Sequence, residues 1–287
     1  MSTRHQLQLK LAPWALLSVA AAWGFAFVVM KNAIERQSVN NFLFTRFTLA
    51  VIVMILIRPQ TIRHFNKDLL QRGGLAGVFL GLGYIAQTLG LARTGAAITG
   101  FITGLYVVVT PLLASIILKD KISKFVWGCI ALATIGLGLL SIHGFSVGIG
   151  EMFVLASAFF FGAHIIALGK WSSGRDVYAM TIIQLSVCAL LSGVASIPEG
   201  YSPPPDSGVW SVVVFTAVFA TAIAFIIQTW SQAHMSATKV AVILTMEVVF
   251  AAVFAIIFGG EKLKVQTAIG GIMVVVAMYL IVLKEQK

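Results

Sequence analysis

Ten stretches of apolar residues, each close to the length of a membrane-spanning helix, dominate this chain of 287 residues. A helix needs about 20 mainly apolar residues to cross the hydrocarbon core of a bilayer. The stretches are 12–31, 40–58, 73–92, 96–118, 124–143, 149–170, 177–197, 209–230, 237–258 and 265–283. Only 10% of the residues are charged, against about 25% in ordinary soluble domains. The sequence therefore predicts an all-α membrane protein with ten transmembrane helices.

The basic residues indicate how these spans are oriented. If both termini are cytoplasmic, 14 Lys and Arg residues fall in cytoplasmic segments, 5 fall in external segments, and Arg46 alone lies within a span. Cytoplasmic loops carry an excess of Lys and Arg in membrane proteins. We therefore interpret the net charge of +10 as an orientation signal, and we expect no nucleic-acid partner. The prediction is a multi-pass protein of the bacterial inner membrane with both termini in the cytoplasm.

The two halves of the chain look like copies of one another. When the sequence is shifted by 141 residues, YIAQTLGLARTGAA from Tyr84 overlies FIIQTWSQAHMSAT from Phe225. The predicted copies are residues 1–145 and 146–287, with five spans each. Because five is odd, the second copy enters the membrane from the opposite side, which makes an inverted repeat. Two such halves can exchange shapes, and this is the geometry of alternating access around a substrate site near the midplane.

Polar and aromatic residues within the spans are candidates for lining a substrate cavity, and several are matched by the same shift. The candidates are Trp23, Tyr84, Gln87, Thr88, Tyr106, Gln228, Thr229 and Trp230. Matched residues would lie at mirrored depths, so the phenol of Tyr106 would lie opposite the carboxylate of Glu247. The alternatives are helix–helix hydrogen bonds for the polar groups, worth about 0.6 kcal/mol on average, and interfacial anchoring for the tryptophans.

Motifs in both halves resemble a known family. GFITGLYVVVTPLL (100–113) and SATKVAVILTMEVVFAAVFAIIFGGEKL (236–263) are similar to the closing segments of the two repeats in EamA-type exporters of the drug/metabolite transporter superfamily. WGFAF from Trp23 and an arginine early in the second span, Arg46, fit the same pattern. The resemblance covers essentially the whole chain. It implies ten helices and efflux of small metabolites, amino acids or drugs, driven by an ion or proton gradient or by passive exchange.

Two departures from the family pattern limit what the resemblance implies. The family commonly has Glu-Pro in the ninth helix, whereas here Glu247 is followed by Val248, so a proline kink is not expected there. The usual Gly-Glu near the end of the fourth helix is replaced by Lys119-Asp120. Pro111 remains within the fourth helix and can bend it. The two halves are therefore expected to be unequal, with a straighter ninth helix.

Three ionisable residues within spans are candidates for coupling or structural roles: Arg46, His164 and Glu247. A carboxylate at the bilayer centre costs roughly 2.5 to 3.5 kcal/mol, so Glu247 should face protein or water. It is either a structural carboxylate, bonded for example to Arg46, or a titratable site for a proton or a cationic substrate group. Arg46 could extend to the interface, pair with Glu247 or contact an anionic substrate group. His164 is either a neutral hydrogen-bonded residue or a second proton-handling group.

Motifs of other functional classes do not occur in the sequence. There is no P-loop, no HExxH and no cluster of His and Cys at ligand spacing, so we expect no metal or cofactor, and no nucleophile–base pair indicates an enzyme. Cys129 and Cys188 lie in apolar stretches and are interpreted as core residues. The sequence predicts a secondary exporter of a small-molecule substrate, with proton coupling as one option. An importer or facilitator on the same fold, a lipid flippase and a membrane sensor are the alternatives, and the oligomeric state is left open.

Overall fold

The computed structural model describes residues 3–93, 96–119, 121–141, 148–259 and 265–285. Every regular element within these ranges is helical, and no strand occurs among them. This agrees with the predicted all-α class. Asp120 and Glu261, which the sequence shift matches, lie outside the described residues.

The helices follow one another with short connections. The α-helices are α1 (Thr3–Arg36), α2 (Val39–Ile57), α3 (Lys67–Leu91), α4 (Ala96–Gly104), α5 (Tyr106–Leu113), α6 (Lys124–Ser141), α7 (Ile149–Trp171), α8 (Val177–Ser196), α9 (Ser207–Ala217), α10 (Ala224–Gln232), α11 (Ala237–Leu244), α12 (Met246–Gly259) and α13 (Val265–Glu285). Short 3₁₀ helices, Pro59–His64 and Ile197–Glu199, follow α2 and α8. Two π-helical segments, Ala114–Leu118 and Val218–Ile223, continue α5 and join α9 to α10.

Seven helices in the described part of the chain are long and apolar enough to cross a membrane. They are Leu11–Arg36, Val39–Ile57, Lys67–Leu91, Ile149–Trp171, Val177–Glu199, Ser207–Gln232 and Ala237–Phe258. The shorter apolar helices are Ile102–Leu118, Lys124–Leu139 and Ala268–Leu280. The chain is thus a multi-span membrane protein, and the count of ten spans stays a prediction.

Polar residues at the ends of the spans start several of the helices. Asn66 begins α3 by accepting a hydrogen bond from the Leu69 amide at 2.9 Å. Asp176 does the same for α8 through the Ala179 amide at 3.0 Å. Such side chains satisfy amides that have no partner within the first helical turn. The polar connections of the sequence therefore set where the apolar helices begin.

Large apolar side chains cover the outer surface of the bundle. Leu56 is 74% exposed, Ile116 is 72% exposed and Ile257 is 63% exposed. In a water-soluble protein such surfaces would be unfavourable, but lipid tails are as apolar as these side chains. The exposed surface is therefore suited to a bilayer.

Helices of the first half pack mainly against helices of the second. α3 packs on α7 and α8, α6 on α13, α2 on α8, and α1 on α12. Small residues allow the closest of these approaches. A Cβ atom on Gly77 would lie 2.8 Å from the carbonyl oxygen of Gln184, and one on Gly136 would lie 2.7 Å from that of Gly270. The two halves therefore share one interior.

The fourth and ninth apolar stretches each form two helices with a one-residue break, close to Tyr106 and to Glu247. Leu105 separates α4 from α5, directly before Tyr106, and Thr245 separates α11 from α12, two residues before Glu247. The ninth span is therefore interrupted, as the fourth span is, although it contains no proline. No proline is needed for this break, since the Thr245 hydroxyl donates to the Val242 carbonyl at 2.6 Å, and such bonds compete with regular helix.

Candidate functional site

A cavity of about 60 Å³ lies between the two halves. Its walls come from α1, α2, α3, α4, α5, α7, α10, α11 and α12. The lining residues are Trp23, Ala26, Phe27, Met30, Arg46, Leu80, Tyr84, Gln87, Thr103, Tyr106, Phe161, His164, Ile165, Phe225, Gln228, Leu244 and Glu247. Aromatic rings and a few polar groups are the usual lining of a site for a small molecule.

Ten of these lining residues form five pairs whose members are 141 positions apart. The pairs are Trp23 and His164, Tyr84 and Phe225, Gln87 and Gln228, Thr103 and Leu244, and Tyr106 and Glu247. The same positions of the two halves therefore line one cavity. Within four of the five pairs the residue types differ, so the two halves contribute different chemistry to it.

Tyr106 and Glu247 are in direct contact. The Tyr106 hydroxyl donates a hydrogen bond to Glu247 Oε1 at 3.4 Å, and both residues are buried. This distance is near the upper limit for a hydrogen bond, so the bond is weak. No ion pair with Arg46 occurs among the described residues. The carboxylate therefore keeps acceptor capacity toward the cavity.

Arg46 is held inside the protein by the π-helical segment. Its Nε donates to Thr221 Oγ1 at 2.7 Å, and its Nη2 donates to the Ala220 carbonyl at 3.2 Å. The guanidinium carbon also lies 5.1 Å from the ring centroid of Tyr84, within range of a cation–π contact. With only 2% of the residue exposed, the side chain is enclosed by the protein.

The carbonyl of Ala220 accepts from a second cavity residue. Trp23 Nε1 donates to it at 2.8 Å, so this oxygen joins α1, α2 and the π-helical segment. π-helical segments change the backbone hydrogen-bonding pattern and occur frequently at functional sites. The sequence did not predict this segment, since Val218–Ile223 contains neither proline nor glycine.

His164 contacts the cavity with one side of its ring. Its Nε2 lies 2.7 Å from Gln184 Oε1, and Gln184 Nε2 donates to the Met180 carbonyl at 3.2 Å. Because that second bond requires the amide nitrogen, the oxygen of Gln184 faces the histidine, and Nε2 of His164 is the donor. Nδ1 is then the acceptor of the neutral ring.

Gln87 and Gln228 are counterparts with different environments. Gln87 Nε2 donates to Thr103 Oγ1 at 3.2 Å. Gln228 Nε2 donates to Gln232 Oε1 at 3.2 Å, while Gln228 Oε1 is buried and has no hydrogen-bond partner. A buried acceptor without a partner costs about 1–3 kcal/mol. Gln228 lines the cavity, and this oxygen is enclosed by its neighbours without a hydrogen-bond donor.

Three of the predicted cavity residues do not line the cavity. The Thr88 hydroxyl donates to the Tyr84 carbonyl at 2.7 Å within its own helix. The Thr229 hydroxyl accepts from Thr181 Oγ1 at 3.3 Å. Trp230 packs against His234 with ring centroids 5.3 Å apart. For the two threonines, hydrogen bonding within and between helices is the observed role.

Other lining residues were missed in the sequence. Phe225 is the counterpart of Tyr84, and the 141-residue shift could have found it. Thr103 could have been found as the hydroxyl residue one helical turn before Tyr106. Phe161 has no signal of this kind, because its ring reaches the cavity only through packing against Tyr84, at a centroid distance of 5.4 Å.

No group of three or more His, Cys, Asp or Glu residues that could hold a metal ion occurs in the described ranges. The polar lining instead offers one carboxylate, one guanidinium, two amides, one imidazole, an indole N–H and hydroxyl groups. This arrangement can bind and orient a small molecule by hydrogen bonds and aromatic contacts.

Comparisons with known proteins agree with this architecture. The EamA-like transporter family matches residues 10–142 and again residues 148–283. An uncharacterized transporter from Archaeoglobus fulgidus is 31% identical over 274 residues, which cover 95% of this chain and 86% of the relative. A second uncharacterized transporter from the same organism is 22% identical, over 92% of this chain and 95% of that protein. A crystal structure with 14% identity has a TM-score of 0.78 and covers 94% of both chains, which shows a shared fold.

Proposed function

Since this chain belongs to the EamA-like transporter family, we propose that it exports small organic solutes across the bacterial inner membrane by alternating access. The protein is a membrane transporter by family. The direction and the substrate class are our inference. The observation that carries the proposal is the central cavity, because five counterpart pairs from the two halves line it. A site built from both halves is what alternating access requires.

We propose ten spans arranged as two inverted five-helix repeats, residues 1–145 and 146–287. The double match to the family supports this division. Packing supports it as well: α2 and α8 are counterparts and pack on each other, and so are α6 and α13. The contact of α1 with α12 has its counterpart in the contact of α7 with α5, and the contact of α1 with α11 has its counterpart in that of α7 with α4. A pseudo-two-fold axis in the membrane plane would produce this pattern, with both termini in the cytoplasm.

The polar groups of the cavity favour a substrate that donates hydrogen bonds. Glu247 and Gln228 line the cavity and both carry acceptor oxygens, and the buried oxygen of Gln228 has no hydrogen-bond partner. Arg46 also lines the cavity, but its Nε and Nη2 donate to the π-helical segment and its Nη1 lies 3.5 Å from the Sδ of Met30. The aromatic rings of Trp23 and Phe225 offer faces that attract apolar or cationic groups. We therefore propose a small solute with an N–H donor or a cationic nitrogen and an apolar body.

Glu247 is the residue we assign to coupling. A carboxylate that alternates between binding a proton and binding a cationic group would exchange one for the other across the membrane. Its bond to Tyr106 is weak enough, at 3.4 Å, to be replaced by a substrate. An importer on the same fold would use the same site, because alternating access is reversible and gradients decide the direction.

Flux into sealed proteoliposomes tests the proposal. Purified protein is reconstituted with an imposed proton gradient, and uptake of radiolabelled amines is compared with uptake of neutral and anionic solutes of similar size. We expect saturable, gradient-dependent flux for the amines and its loss in Glu247→Gln. Equal flux with empty liposomes for every solute would contradict the proposal. Movement of fluorescent lipid in the same vesicles would instead indicate a flippase.

A further inference from the structure

Helices α2 and α8 are fastened to each other at both ends. We propose that this pair, Val39–Ile57 with Val177–Ser196 and here called the strut, keeps one geometry while the rest of the molecule alternates between its two open forms. The inference rests on the proposed function. It identifies which interface stays closed during transport and which one changes.

The end of the strut near the start of α2 is joined by amide side chains to the segment that follows α8. Gln37 Nε2 donates to the Ser202 carbonyl at 2.9 Å, and Asn41 Nδ2 donates to the Gly200 carbonyl at 3.1 Å. Asn40 Nδ2 donates to the Ala195 carbonyl at 3.2 Å. An ion pair between Arg36 and Asp206 lies beside them. Asn40 and Asn41 thus connect α2 to the end of α8 and to the residues after it. Gln37 and Arg36, which precede α2, bind the loop between α8 and α9 and the N-cap of α9.

The opposite end of the strut is joined by a second group of contacts. The Tyr178 hydroxyl donates to the Met54 carbonyl at 2.7 Å. The guanidinium carbon of Arg58 lies 5.6 Å from the Tyr178 ring centroid. His64 Nδ1 lies 2.5 Å from Asp176 Oδ2. These contacts connect the end of α2 to the start of α8 on the other face of the membrane.

The two ion pairs at the ends of the strut are counterparts under the repeat. Shifting Arg36 by 141 residues gives a position next to Asp176, and shifting His64 gives a position next to Asp206. Two contacts that are counterparts of each other, and that are both formed in one open form, can both be present in the other form, since exchanging the shapes of the halves converts each into the other. The strut can therefore remain fastened at both ends throughout the cycle.

The contacts between the two interrupted spans, α4–α5 and α11–α12, are not preserved by such an exchange of shapes. The counterpart of the α4–α12 contact is the α5–α11 contact. In the described ranges α5 and α11 are in more extensive contact than α4 and α12. Exchanging the shapes of the halves must therefore change both contacts. Both runs contain a break in the helix, at Leu105 and Thr245, where a rotation can be absorbed. We assign the movement to these runs.

Cross-linking distinguishes the two kinds of interface. In a background with Cys129→Ala and Cys188→Ala, one variant carries Gln37→Cys with Ser202→Cys and another carries His64→Cys with Asp176→Cys. Each is reconstituted, treated with a short thiol cross-linker and checked by mass. The matched control is Gly100→Cys with Val248→Cys, across α4 and α12, where a Cβ on Gly100 would lie 3.8 Å from Val248 Cγ1.

We expect both cross-linked strut variants to keep flux within about two-fold of their reduced forms, because the bridged interface does not move. The cross-linked control should lose nearly all flux and regain it on reduction. Loss of flux on cross-linking either end of the strut would overturn the proposal, and so would full flux in the cross-linked control. Absence of flux in every reduced form would instead count against the proposed transport activity.

Discussion

The hydroxyl of Tyr106 lies 3.4 Å from Oε1 of Glu247, and the two residues are 141 positions apart. Counterpart residues of the two halves thus touch each other in the centre of the molecule. In the proposed inverted repeat, a direct contact of this kind lies near the axis that relates the halves. The carboxylate of Glu247 lies where the two halves meet, in the cavity that Gln228 and His164 also line.

Replacing Glu247 tests its role in coupling. Glu247→Gln keeps the shape and the hydrogen bond from Tyr106 but removes the charge, so we expect flux to fall by about ten-fold or more and its pH dependence to disappear. Tyr106→Phe removes only one weak bond and should reduce flux by less than about five-fold. Thr88→Val, outside the cavity, is the control. Wild-type flux and pH profile in Glu247→Gln would show that the carboxylate is structural.

Gln228→Leu removes the unpartnered oxygen. The variant also loses the bond to Gln232, and we expect the two effects to offset, leaving the melting temperature within about 3 °C of wild type. Substrate affinity should fall by about ten-fold, because a donor on the solute loses its acceptor. Binding is measured by thermal shift with the transported amine, and Thr229→Val, the next residue along, is the matched control. Unchanged affinity would remove Gln228 from the binding site.

Arg46→Lys separates charge from geometry. Lysine keeps the positive charge but cannot donate to Thr221 and Ala220 together in the planar arrangement of a guanidinium. We expect a loss of stability of about 2–3 kcal/mol, measured as a lower melting temperature, together with reduced flux. Arg93→Lys, at an exposed position, should have no effect.

The double variant Arg46→Glu with Glu247→Arg tests the pairing considered from the sequence. Because the two side chains do not form an ion pair in the structure, exchanging their charges should not restore flux lost in the single variants. Recovery of flux would indicate that they pair in another state of the cycle.

Acidification should weaken the end of the strut that contains Asp176. Partial burial raises the pKa of Asp176, but hydrogen bonds from His64 and the Ala179 amide outweigh it and hold the pKa below its usual value. A carboxylate with a lowered pKa stabilises the folded state above its unfolded value of about 3.9 and loses that contribution as the pH falls below it. Melting temperatures between pH 3 and 7 should therefore drop less in Asp176→Asn than in wild type. Glu35→Gln, at an exposed position, should follow wild type.

The helical architecture was predictable because lipid imposes strong rules. Backbone groups within a bilayer must be paired internally, so apolar stretches of this length become helices. The start of α8 at Val177, for example, follows from the apolar run after Asp176. Two of the residue pairs in the cavity, Gln87 with Gln228 and Tyr106 with Glu247, could also be identified from the sequence. In a duplicated sequence, a constant shift relates each residue to its counterpart.

Other features depended on contacts that periodicity does not encode. The π-helical segment Val218–Ile223 has no sequence signal. Its Ala220 carbonyl accepts hydrogen bonds from Trp23 and Arg46, which lie on helices distant in the sequence. The break at Thr245 was missed because only proline was considered as a helix breaker. Thr88 and Thr229 were assigned to the cavity by the repeat alone, yet a shift of one residue rotates a side chain by about 100° around a helix.

The inverted repeat is tested most directly by the position of counterpart residues relative to the membrane. Arg93 and His234 are 141 residues apart and lie in the turns after α3 and α10. Each is replaced by cysteine in the background without Cys129 and Cys188, and sealed vesicles of known orientation are treated with a membrane-impermeant maleimide. We expect the two cysteines to be labelled from opposite sides of the membrane. Labelling of both from the same side would contradict the inverted repeat, and with it the alternating-access mechanism built on it.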